Sequence, residues 1–86
     1  MSFIIIFKRE AIKDLQQLPP KKVALIRTAI DSLKETPRPH GCKKLEGSKE
    51  NLWRIRVGDY RVIYLIDDGI RIINIRKVGH RKDIYE

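Results

Sequence analysis

Five cations, an imidazole and a phenol in this chain stand at spacings that suit chemistry on a phosphodiester. They are Arg54, Arg56 and Arg61, then His80, Arg81, Lys82 and Tyr85. RNA carries its own nucleophile, the 2′-hydroxyl, beside every phosphate. Cleavage needs that hydroxyl deprotonated, the 5′-oxygen protonated, and the doubly charged phosphorane between them stabilised. Fixed guanidinium donors suit the last task, because they act most strongly on charge that develops in the transition state. Imidazole ordinarily titrates near neutral pH, so His80 is the candidate to move a proton. Tyr85 could stack on an unpaired base. The same spacings also describe a solvated strand face and a C-terminal packing tyrosine.

Other chemistries find no support. The chain has no Ser-His-Asp set, no paired carboxylates suited to acid–base work and no phosphate-cradling glycine loop. With one cysteine, Cys42, and two separated histidines, His40 and His80, we expect no structural zinc, no internal disulfide and no cofactor. A lone thiol fits a reducing cytoplasm. The formal net charge of +8 points to a polyanionic partner, with nucleic acid the first candidate. Both halves of the chain carry the excess, which suits a folded basic surface better than a basic tail.

The arginines need elements to hold them. Residues 52–57 alternate, so that Trp53, Ile55 and Val57 share one face of a strand and Arg54 and Arg56 the other. Gly58-Asp59 is a short hairpin connection, and residues 60–66 form the returning strand that brings Arg61 near its partners. Asp67-Asp68-Gly69 reads as a second turn rather than a metal site, because each carboxylate can hydrogen-bond its own backbone. Residues 70–78 make a third strand, and Trp53 reads as a core residue.

Upstream, the apolar run at residues 3–7 predicts a strand buried on both faces. It is too short to span a membrane, and Lys8-Arg9-Glu10 follows at once, so we expect neither a membrane segment nor a signal peptide. Residues 8–18 and 21–35 carry helical apolar stripes, separated by Pro19-Pro20. Residues 36–51 read as a long loop, made cationic by Lys43, Lys44 and Lys49, which with Lys82 are candidates to contact RNA. The whole, residues 1–86, is predicted to be one small α+β domain of order β-α-α-β-β-β, with a helical hairpin packed on a mainly antiparallel sheet. A chain of this length buries roughly 60–65% of its unfolded surface, so its stability margin is thin.

The segments Lys44-Leu45-Glu46-Gly47, residues 52–64, and Val78-Gly79-His80-Arg81-Lys82-Asp83-Ile84-Tyr85 resemble the RelE toxins of type II toxin–antitoxin pairs. The resemblance implies a ribosome-dependent endoribonuclease that cuts mRNA in the decoding site without a cofactor. It also implies a RelB-like antitoxin, with operator DNA engaged only through the toxin–antitoxin complex. By that resemblance Arg61 and Arg81 fall on the family's active-site arginines and Tyr85 on its base-stacking tyrosine. Arg54 and Arg56 stand where well-studied members carry lysines, one of them proposed as general base. The ParE branch shares the fold but inhibits DNA gyrase without cleaving RNA, and a degenerate toxin would only bind its antitoxin.

Overall fold

The computed structural model describes residues 2–81. Strand β1 (Ile4–Phe7) leads into helices α1 (Arg9–Gln16) and α2 (Pro20–Ser32); then come β2 (Lys43–Lys44), β3 (Leu52–Val57), β4 (Tyr60–Asp67) and β5 (Ile72–His80). One five-stranded sheet has the order β1-β5-β4-β3-β2. Among the described residues only the β1–β5 pair is parallel, β1 being joined to its neighbour by the whole intervening chain and not by a hairpin. The fold is α+β, with two helices on one face of a mainly antiparallel sheet.

The helices form as their sequences dictate. Pro20 opens α2 at the first helical position, where a missing N–H matters least. Ile26 and Ile30 lie one turn apart and are buried, as is Leu33 just beyond the helix. With Ala11 they pack on Ile55, Val62, Tyr64, Ile66, Ile73, Ile75 and Val78 from the sheet. Helix α1 lies over β5 and α2 over β3. Asp14 ties α1 down, its carboxylate accepting the Val78 N–H at 2.9 Å. Among the described residues, no helix is long and apolar enough to cross a membrane.

Three departures from the sequence expectation matter. Strand β1 is not buried on both faces: it is the sheet edge, with Ile4 63% and Ile6 42% exposed. Inside the expected loop at 36–51, Lys43 and Lys44 form the short outer strand, opposite Arg54 and Trp53. Strand β5 is displaced by two residues, starting and ending later than expected. Asp67 delays its start, because its Oδ1 accepts the N–H groups of Gly69 and Ile70 and shapes a wide turn.

Strand β5 also carries a bulge. Ile63 faces Lys77 while Tyr64 faces Ile75, so Arg76 is the extra residue, and its guanidinium pairs with Glu50 at 2.8 Å. A bulge shifts the alternation of every residue that follows it. Ile73 and Ile75 face the core, but beyond the bulge the inward residue is Val78.

Tyr64 is fully buried, and its hydroxyl donates to the Pro37 carbonyl at 2.8 Å. Burial, with the Cys42 thiol close by, pushes the Tyr64 phenol well above its ordinary value and outweighs the opposing Arg38 charge. An unfolded phenol ionises near pH 10. The raised folded value means that Tyr64 gives its full stabilisation below pH 10 and loses it as the pH climbs further. Tyr64→Phe is expected to destabilise the fold by about 1–2 kcal/mol at pH 8, with the Pro37 carbonyl left unpaired. The difference from wild type should shrink at pH 10.5. Urea unfolding of both proteins at the two pH values checks this.

Candidate active site

The β3–β4 hairpin turns at Gly58-Asp59, where Gly58 takes φ +61°, a conformation that side-chain-bearing residues rarely adopt. Its register sets Arg56 directly opposite Arg61. Cross-strand neighbours stand about 4.5–5.5 Å apart at Cβ, so the two guanidinium stems leave the same face side by side. On the next strand Arg61 faces Gly79, which has no side chain to cover it. Beyond His80 the chain stays attached to the hairpin, as the Arg81 N–H donates to the Asp59 carbonyl at 2.9 Å. Arg56, Arg61 and Arg81 consequently line one small cleft of about 100 Å³, together with Gly58, Asp59 and Tyr60.

Arg54 precedes Arg56 on the same face of β3 and is only 4% exposed, with Lys43 opposite it on β2. Lys44 and Lys49 are exposed, Lys44 at the sheet edge and Lys49 in the loop before β3. Asp59 is the one carboxylate among the described residues lining the arginine cleft. Lys82 and Tyr85 lie outside the described residues.

His80 is not brought to the arginines. It faces Tyr60 across the strand pair, the rings meeting edge to face with centroids 5.6 Å apart. It lines a different cleft, with Asp14, Gln17 and Leu18 from the end of α1 and Lys77 from β5. The bulge is the reason. Unbroken alternation from Ile75 would put His80 on the arginine side. The extra residue at Arg76 turns His80 toward the helices and Gly79 toward the arginines. The apolar spacing Ile73, Ile75, Val78, with its step of three, is the sequence signal that marks this shift.

The other histidine sits apart from His80, and its position in a polar loop carries no local signal of a site. His40 lies on the wall of a larger cleft of about 620 Å³ that Arg54 and Arg56 also line.

Three guanidinium-bearing side chains lining one small cleft suit an anion such as a phosphate. The family model for the ParE toxin of the type II toxin–antitoxin system parDE matches residues 5–85. A Methanocaldococcus jannaschii protein named as a RelE1 toxin is 36% identical, the alignment covering 100% of this chain and 98% of that one. Toxin RelG of Mycobacterium tuberculosis is 35% identical, covering 99% and 98%. Among solved structures, the archaeal RelE–RelB complex from Pyrococcus horikoshii contains a chain that superposes with a TM-score of 0.83 at 32% identity, covering 98% of this chain and 100% of that one.

Proposed function

This chain belongs to the RelE/ParE superfamily of type II toxins, and on that premise we propose that it is an endoribonuclease that cuts mRNA in the decoding site of the ribosome. The observation that carries the proposal is the shared cleft of Arg56, Arg61 and Arg81. In this reading the 2′-hydroxyl attacks its own phosphate, the 5′-oxygen leaves, and the products are a 2′,3′-cyclic phosphate and a 5′-hydroxyl. Arg61 and Arg81 hold the non-bridging oxygens as the phosphorane gathers charge. Arg56 and Arg54 neutralise the strand alongside, while Lys43, Lys44, Lys49 and Lys82 meet RNA phosphates and Tyr85 stacks on a base. No metal is invoked, since the substrate supplies the nucleophile and the guanidiniums take the charge.

Protons need a separate account. A guanidinium has a pKa above about 12, so using one as a base near pH 7 costs at least about 7 kcal/mol. His80 was the alternative, but its ring packs on Tyr60 across the sheet from the arginine cleft. We assign it a packing role and leave proton transfer to water and to groups that the ribosome supplies. His80→Gln should keep the single-turnover cleavage rate within about threefold and leave its pH profile unchanged. General acid–base catalysis contributes about 10²–10⁴-fold. A loss of that size, with an acidic limb abolished, would restore His80 to the mechanism.

The partner is an antitoxin of the RelB kind, as in the Pyrococcus horikoshii complex. We propose that it covers the surface around Arg54, Arg56, Arg61 and Arg81, and that operator DNA is engaged only through that complex. The ParE family model supports a second reading, a non-enzymatic inhibitor of DNA gyrase. Parallel assays separate the two. The nuclease reading expects mRNA cleavage on translating ribosomes and undisturbed gyrase supercoiling. Inhibited supercoiling with intact mRNA would select the other branch.

A further inference from the structure

Strand β2 is two residues long and pairs only with Trp53 and Arg54, so β2 gives no cover to the edge of β3 at Ile55 and Arg56. The 620 Å³ cleft opens at that edge, between α2 and residues 39–41. This volume lies within the range of sites that hold small ligands. Its polar walls are Ser32, His40, Arg54 and Arg56, and among the described residues none that lines it is acidic. Arg56 also lines the smaller arginine cleft, so the two adjoin.

The loop that presents His40 is held at several points. The Pro37 carbonyl accepts the Tyr64 hydroxyl. The Arg38 guanidinium lies 5.0 Å from the Trp53 ring centroid and bonds both oxygens of Asp68, at 2.8 and 3.4 Å. The Pro39 carbonyl accepts the Cys42 N–H at 3.0 Å. Pro37 and Pro39 each fix a backbone φ, and Gly41 at φ +89° turns the chain back toward β2. An exposed imidazole is thus set at a defined place beside two arginines.

We propose that this second cleft binds the RNA phosphodiester adjacent to the scissile one, with His40 as a substrate-contacting residue. The proposal rests on the RNA-cleaving reading above and gives it a direction: the strand passes over Arg56, with the reacting phosphate at Arg61 and Arg81 and its neighbour at His40 and Arg54. His40 then contributes to binding and register, not to the chemical step.

The test uses an RNA tetranucleotide made uncleavable by a 2′-deoxy sugar at its central, scissile linkage, with binding followed by fluorescence anisotropy. His40→Ala should weaken binding about tenfold and His40→Lys should restore most of it, as expected for a contact to a charged phosphate. Replacing one of the two flanking phosphates with a neutral methylphosphonate should erase the difference between wild type and His40→Ala. On ribosomes, His40→Ala should raise KM about tenfold and leave kcat within twofold. If wild type cleaves mRNA but His40→Ala matches it in affinity and KM, this inference fails alone. His40-dependent binding without any cleavage would keep the cleft as an RNA site and overturn the nuclease reading. An affinity loss in His40→Ala that neither methylphosphonate relieves would make the cleft a general anion site and overturn the inference.

Discussion

Arg61→Ala and Arg81→Ala are each expected to lower single-turnover mRNA cleavage on ribosomes by about 10²–10³, the effect of losing one preorganised donor to developing charge. Neither change should disturb the fold. Arg81 is exposed, and its tie to the hairpin is a backbone bond to Asp59 that alanine preserves. Arg61 stands opposite Arg56 and Gly79, outside the apolar core. Ribosome binding should survive both substitutions, because other cations remain to meet rRNA phosphates. If Arg61→Ala abolished ribosome binding and left cleavage of bound complexes untouched, Arg61 would be a positioning residue and the transition-state assignment would fall. Changes of surface-charge size only, less than about threefold, would remove the cleft from catalysis altogether.

Charge reversal should also act on the antitoxin complex. Arg56 is exposed at the mouth of both clefts, and close charge pairs across an interface couple by about 1.5–7 kcal/mol. Arg56→Glu is therefore expected to weaken the complex by at least about tenfold. Raising salt from 0.1 to 0.5 M should weaken the wild-type complex by tenfold or more, as screening shortens the reach of exposed charges. Titration calorimetry across a salt series checks both. Indifference to salt and to Arg56→Glu would move the contact to apolar surface, where Ile4, Ile6 and Ile12 stand exposed.

The hairpin was legible in the sequence because its signals are local. Alternation of Trp53, Ile55 and Val57 against Arg54 and Arg56 gives the two faces, and Gly58 supplies the positive φ of the turn. Helix α2 was equally plain, from Pro20 at its start to its apolar stripe. What the sequence hid depends on distant partners. The run at residues 3–7 looks buried on both sides, yet β1 takes the edge because only β5 pairs with it. Lys43 and Lys44 have no strand pattern of their own and become a strand by pairing with β3. Strict alternation misplaces His80, because Arg76 bulges out to meet Glu50. His40 sat in a stretch that reads as solvated loop. Its placement comes from Tyr64, Trp53 and Asp68, residues 13 to 28 positions away, which no local pattern reveals.

The central claim, that the arginine cleft cuts mRNA in the ribosome, is tested most directly by mapping 5′ ends on a defined mRNA held in translating ribosomes. Wild-type protein should produce new 5′-hydroxyl ends at the codon in the decoding site, and Arg61→Ala protein at equal occupancy should produce almost none. Intact mRNA with wild-type protein bound, or the same ends at undiminished rate with Arg61→Ala, would contradict it.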